Sequence, residues 1–300
     1  MTHPVAAIDL GTNTARLLIA TTNPYRQLLL KRTITRLGGG FSRQSGLSFE
    51  AVERSLAALS EFAGEISCHG VTRVRAVATS AVRDAANGRD FCQQVHDKTG
   101  LKLEIIDGTE EAVLTLAGVQ SVIDESDGDL VVFDIGGGST EYTLARDAVP
   151  VFTRSLPVGV VRLTEGKAGA AEMEDKIGRE LTILKGELEH EGLASRFAAA
   201  TLVGTAGTAT TLAAIQMQMG DYDYRRVNNL TLLRSDVERI YAQLLPLTPK
   251  ERLKVAGLEP GREDLIIAGT LVVLQSMEIF GFRTLKVSDS GLLEGLILGV

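Results

Sequence analysis

Residues 5–20, VAAIDLGTNTARLLIA, and residues 130–145, LVVFDIGGGSTEYTLA, align without a gap, with Asp134 lying 125 positions after Asp9. The same offset pairs Gly11 with Gly136, Thr14 with Ser139 and Ala20 with Ala145. Each copy is an apolar run, then Asp-x-Gly, then small hydroxyl and glycine residues, then a second apolar run. Short apolar runs with that punctuation predict two strands joined by a tight hairpin turn. A single Asp-Gly turn is an ordinary hairpin. Two in register, each led by aspartate after an apolar strand, predict a chain of two related halves with a shared chemistry.

Residue type indicates that chemistry. Glycines let the backbone approach a ligand closely, and successive amides in such a turn form a concave nest for anions. The first turn, Gly11, Thr12, Asn13 and Thr14, and the second, Gly136, Gly137, Gly138, Ser139 and Thr140, are therefore candidate phosphate cradles, with hydroxyl donors added by the threonines and serine. Asp9 and Asp134, each ending an apolar strand, are placed to hold a hydrated magnesium ion between them. A third glycine-rich segment, LVGTAGTATTLA at 202–213, reads as strand, turn and helix start, with Thr208 or Thr210 available to cap. Its Gly204, Gly207 and Thr208 fit either an anion site at a helix N-terminus or a plain strand-to-helix turn.

The remaining pattern alternates strand and helix. Leu47–Ile66 carries apolar Val52, Leu56, Leu59, Phe62 and Ile66 at helical spacing, with Ser48 as N-cap and Leu47 with Val52 as a hydrophobic staple. Strands are expected at Val74–Val77 and Leu103–Ile106, and helices at Ala81–Thr99, Glu110–Val122, Ala170–Glu191 and Arg234–Leu245, ending in a strand and a last helix from Gly291. Such alternation implies α/β layers. The polar stretch Asp124–Asp129 divides the chain into domains 1–123 and 124–300, with the last helix able to pack back on the first. Two cysteines (Cys68, Cys92) and four scattered histidines (His3, His69, His96, His190) argue against a zinc site or a disulfide framework. No signal-peptide pattern and no apolar run of about 20 residues is present, so a cytoplasmic protein is expected, away from membranes. A net charge of −7 disfavours non-specific binding of polyanions, nucleic acid and polyphosphate alike, so a phosphate site must be built locally. The basic cluster Lys31, Arg32, Arg36 and Arg43 is either part of such a site or a solvated strand face. A homodimer is the default assembly.

These segments resemble the actin-like, sugar-kinase and heat-shock-chaperone ATPase superfamily, and within it the exopolyphosphatase and guanosine pentaphosphate phosphohydrolase family in its short, two-domain form. DLGTNT at 9–14 and DIGGGSTE at 134–141 are similar to its two phosphate motifs, and AVATSAVRDAAN at 76–87 to the segment bearing a catalytic-site arginine, here Arg83. EIIDGTEEA at 104–112 is similar to its catalytic loop. SLPVGVVRLTE at 155–165, GTAGTATTLAA at 204–214, GREDLIIAG at 261–269 and SDSGLLEG at 288–295 complete a match over nearly the whole chain.

The resemblance implies two actin-like (ribonuclease H-like) domains with an interdomain cleft, and hydrolysis of inorganic polyphosphate, guanosine pentaphosphate or both, with magnesium. Paired acids at a helix start ordinarily serve the dipole; the resemblance instead assigns Glu111 as the base that activates water, leaving Glu110 a capping or structural role. It places Arg16 and Arg262 on phosphate groups of guanosine penta- or tetraphosphate. Arg262 is expected at a helix start, held by a bound anion or paired with Glu263 or Asp264. Two departures stand out: Val113 and Leu293 replace family arginines, which removes positive charge from regions expected to face substrate or to support the site. Alternatives are an ATP-dependent kinase of the same superfamily and a non-catalytic sensor of alarmone or polyphosphate.

Overall fold

The structure is a computed structural model that describes residues 3–40, 46–124, 128–147, 149–167 and 169–299. Arg43 of the basic segment and residues 125–127 of the polar stretch lie outside the described residues. The chain forms two compact units, Met1–Gly118 with Leu292–Val300, and Val119–Gly291.

The first unit opens with β1 (Val5–Leu10), β2 (Thr14–Thr22) and β3 (Tyr25–Ile34), an antiparallel meander. Helix α1 (Phe49–Cys68) leads to β4 (Arg73–Ala78), helices α2 (Ser80–Asp84) and α3 (Gly88–Thr99), then β5 (Leu103–Ile105) and α4 (Gly108–Gln120). The sheet order is β3-β2-β1-β4-β5, with β4 and β5 parallel to β1. Because β1 is covered on both faces, its residues alternate between two cores rather than between core and water. Ala6, Ile8 and Leu10 join the cluster containing Leu56, Leu59, Phe62 and Phe91.

The expected helix start at Ser48 is observed, its side chain accepting from Ala51 N at 3.3 Å. The single helix expected over Ala81–Thr99 is instead broken. Ala85 turns extended, and Asn87 spends its side chain on Leu47, accepting from its N–H at 2.8 Å and donating to its carbonyl at 3.1 Å. Such side-chain bonding to a distant backbone competes with helix continuation.

The second unit repeats the plan: β6 (Leu130–Ile135), β7 (Thr140–Arg146) and β8 (Val149–Leu156) form the meander, followed by α5 (Val160–Gly166), α6 (Ala170–His190) and α7 (Ala194–Ala199). Then come β9 (Thr201–Thr205), α8 (Ala206–Gln216), α9 (Tyr224–Val227), β10 (Thr231–Leu233), α10 (Arg234–Leu244), α11 (Pro249–Arg252), α12 (Ile266–Phe280) and β11 (Thr284–Val287). Its sheet order, β10-β11-β9-β6-β7-β8, is that of the first unit with one added edge strand. The two mixed sheets with helices give the α/β layers expected from the alternation, and their repeated plan is the actin-like fold that the resemblance implied. Helix α13 (Leu292–Leu298) belongs to the first unit, where Leu292, Leu293, Leu296 and Ile297 pack on Val5, Ala7, Leu18 and Ala20, the second core of β1 and β2. No helix among the described residues is long and apolar enough to cross a membrane.

Candidate active site

The β1–β2 turn is held by its carbonyls. Thr12 O accepts from Gly38 N at 2.8 Å, and Asn13 O accepts from Thr35 N and Arg36 N at 3.0 and 2.9 Å. Gly11 N closes the turn on Thr14 O at 3.0 Å. Thr12 Oγ1 lies 2.9 Å from Ser80 Oγ, which ties the turn to α2. The amides of Thr12 and Asn13 make no hydrogen bond among the described residues, as a nest for an external anion requires. Asp9, at the end of β1, is 5% exposed, and its Oδ2 accepts from Arg16 Nε and Nη2 at 2.9 and 2.6 Å. Asp9 and Arg16 are cross-strand partners in the hairpin register. Arg16 is thus the counter-ion of Asp9.

Glu111 sits in the first turn of α4, 8% exposed, with Oε2 3.6 Å from Arg83 Nη1. Arg83 is steadied by donating Nη1 to Ile106 O at 3.0 Å. The helix cap is Asp107, whose Oδ1 accepts from Thr109 N and Glu110 N at 2.9 and 2.8 Å. Glu110 is not the cap; it points outward and accepts from Arg75 Nη2 at 2.7 Å. The two acids thus separate, one to an exposed ion pair and one inward beside Arg83. Val113 is exposed on α4, whereas Leu293 is buried in the apolar cluster under β1. The leucine at 293 serves packing, and a charge there would face no solvent.

The β6–β7 turn is built the same way from different neighbours. Gly136 O accepts from Val160 N at 2.9 Å, Gly137 O from Val161 N and Arg162 N at 2.9 and 3.2 Å, and Gly138 O from Arg162 Nε at 2.8 Å. The start of α5 consumes the carbonyl side, and the amides of Gly137, Gly138 and Ser139 make no hydrogen bond among the described residues. Thr140 Oγ1 donates to Val158 O at 3.0 Å, so this hydroxyl is structural in the described geometry. Gly159 has to be glycine: a Cβ there would overlap the backbone of Gly137 and Gly138. Asp134, 7% exposed, has Glu141 as its cross-strand partner. Glu141 is 2% exposed and accepts from Ser155 Oγ at 2.7 Å. Reading the motif residue by residue passed over Glu141. The seven-residue spacing that opposes Asp9 to Arg16 was the available signal, because in a hairpin that spacing puts both side chains on one face.

The third glycine segment has no loop. β9 runs directly into α8, and Thr205, not Thr208 or Thr210, is the N-cap residue; its hydroxyl donates to Ser290 O at 2.9 Å. Thr208 and Thr210 lie within α8, and Thr208 packs on Gly269 of α12, where a Cβ would overlap it. Arg262 falls in the turn before α12, which begins at Ile266. Its Nε donates to Glu259 Oε2 at 2.9 Å. A Cβ on Gly207 would overlap the Arg262 guanidinium, so that glycine is what admits the arginine to the helix start. Among the described residues no group of three or more His, Cys, Asp or Glu is arranged to hold a metal by itself.

Two open amide nests on equivalent hairpins, with a buried glutamate beside an arginine, coincide with a family match. The description "Ppx/GppA phosphatase family" fits residues 20–300. The chain belongs to that family. Its relatives include exopolyphosphatase 2 of Mycobacterium tuberculosis, 34% identical over 99% of this chain and 98% of that protein. Among solved structures, the Aquifex aeolicus Ppx/GppA family member superposes with a TM-score of 0.80 at 31% identity, covering 99% of this chain and 96% of the other. An exopolyphosphatase from Cytophaga hutchinsonii superposes with a TM-score of 0.89 at 26% identity, covering 98% and 96%. Coverage at both ends means that Ppx/GppA relatives share the first hairpin, although the family description begins within β2.

Proposed function

We propose that this Ppx/GppA protein cleaves phosphoanhydride bonds, releasing orthophosphate from the end of inorganic polyphosphate, from guanosine pentaphosphate, or from both. The observation that carries the reading is the placement of Glu111 beside Arg83. Attack of water on a terminal phosphorus needs a carboxylate that takes the water's proton as the P–O bond forms. Glu111 is that base. The arginine supplies fixed positive charge for the oxygens on which negative charge accumulates, and the two amide nests position the phosphate groups. Phosphoryl transfer asks mainly for positioning and charge neutralisation, and backbone amides provide both without a large positive surface.

Magnesium suits the donor set. Asp9 and Asp134 are carboxylates at strand ends, and Asn13 Oδ1 is a buried acceptor without a hydrogen-bond partner among the described residues. One or two carboxylates completed by water and substrate phosphate is how this ion is usually held. Bound there, it would neutralise phosphate charge; Asp9 and Asp134 would hold it, with Asp9 sharing its charge with Arg16. Arg16 and Arg262 are proposed for the phosphates of the guanosine substrate. The deciding assay measures phosphate release from short polyphosphate, long polyphosphate and guanosine pentaphosphate, side by side, with magnesium. Release from at least one is expected; release from none overturns the proposal.

A further inference from the structure

Away from these residues, a groove of about 390 Å³ in the first unit gathers cations without carboxylates. Arg89, Cys92, Gln93 and His96 line one wall, and Lys102 with the β5 edge lines the other. Positions 89, 92, 93 and 96 recur at the spacing of one helix face, while Phe91 and Val95 of α3 turn into the core. The side chains of Arg89, His96 and Lys102 make no hydrogen bond or ion pair among the described residues. The acids on the same elements do not oppose them: Asp97 accepts from Gln93 Nε2 at 2.8 Å, Glu104 from Arg75 Nε at 3.4 Å, and Asp90 does not line the groove. β5 is the edge strand of its sheet.

In a chain of net charge −7, Arg89 and Lys102 in one concavity focus a local positive potential, and the His96 ring adds a further polar contact. Arg89 and His96 are separated by seven helical positions, about 10 Å along the axis. That span exceeds a single tetrahedral anion and suits a short run of linked ones. No aromatic residue lines the groove, so it lacks the stacking platform typical of single-stranded nucleic acid channels. We propose that the α3–β5 groove is an accessory site that holds a segment of linear inorganic polyphosphate. This rests on the reading above that phosphate chains are substrates. Holding a distant segment raises the local concentration of the chain end without touching the chemistry.

Cys92 is a built-in reporter, because it lies in the groove wall and the other free thiol, Cys68, is removable. In a Cys68→Ser, Glu111→Gln background, long-chain polyphosphate should slow alkylation of Cys92, and orthophosphate at matched ionic strength should not. Adding Arg89→Ala and Lys102→Ala should weaken that protection about tenfold, the scale of two exposed charge contacts. In otherwise native protein, the same two substitutions should raise KM for long polyphosphate and leave pyrophosphate or short-chain turnover unchanged. Absence of protection overturns the site, as does protection that survives the double substitution or equal protection by single-stranded DNA. These binding measurements do not depend on hydrolysis, so a protein inactive on all three substrates would sink the proposed function while the alkylation result still decides the groove.

Discussion

The two hairpins share a sequence pattern, a register and a topology, yet their aspartates face side chains of opposite type. Asp9 faces Arg16 across its hairpin, and Asp134 faces Glu141. The first register position sets an acid across from a base, and the second sets an acid across from another acid. The turns differ as well in how their carbonyls are tied: the first to backbone amides of residues 35–38, the second to the N-terminus and arginine of α5. Even the strand entries differ, because Pro4 aligns with Asp129, which is clamped by Arg146 and Arg196. Repetition preserved the amide nests, which depend on backbone shape, and let the side chains around them diverge into separate tasks.

The largest expected effect tests whether the decisive task belongs to the first unit. Glu111→Gln keeps shape and removes proton affinity, so turnover should fall about 10²-fold or more with substrate binding retained. A near-native rate would move the role of base elsewhere, with Glu110 next to test. The electrostatic contrast comes second. Asp134→Asn should raise the magnesium concentration for half-maximal activity more than Asp9→Asn does, because Asp9 already shares its charge with Arg16. Equal magnesium titrations for the two variants would erase the difference between the hairpins.

The third measurement concerns the guanosine substrate. Arg262→Ala should weaken guanosine pentaphosphate binding by about 1.5–3 kcal/mol, the worth of one charge-assisted contact, with a smaller loss for polyphosphate. Unchanged nucleotide affinity by calorimetry would remove Arg262 from the nucleotide site. Stability comes next. Gly159→Ala forces a Cβ into turn backbone, whereas at Gly38 the clash is with the Thr12 side chain. Overpacking typically costs about 1–3 kcal/mol, and Gly159→Ala should show the larger loss in urea unfolding. A greater loss for Gly38→Ala would mean that the first turn is the stiffer one.

The smallest effect is a pH dependence confined to the second unit. The Arg196 guanidinium, and after it Arg146, holds the Asp129 carboxyl at about 2, below its ordinary 3.8. A depressed carboxyl pKa contributes stability that is complete above the unfolded value and is lost as pH falls through the folded one. The stability gap between native protein and Asp129→Asn should therefore close between about pH 4 and pH 2. A gap unchanged across that window would show that the clamp contributes shape and not charge.

Much of this molecule is written in short stretches. The strand–turn–strand repeat, the Ser48 cap and the strand-end positions of Asp9 and Asp134 follow from periodicity and turn residues within about ten positions. Such features need only local backbone preference and burial, and those are legible in a single chain. Family resemblance singled out Glu111 and Arg83, but their 3.6 Å approach depends on α2 and α4 following adjacent parallel strands. Other features were decided only by packing. Asn87 breaks a helix because Leu47 lies beside it, Leu293 is buried because α13 closes the core of β1, and Arg262 reaches the start of α8 because Gly207 leaves room. The identity of the residue opposite each aspartate is visible in the sequence at once. That it is opposite, and so sets the charge of the site, becomes a fact only when the hairpin register brings residues seven apart onto one buried face.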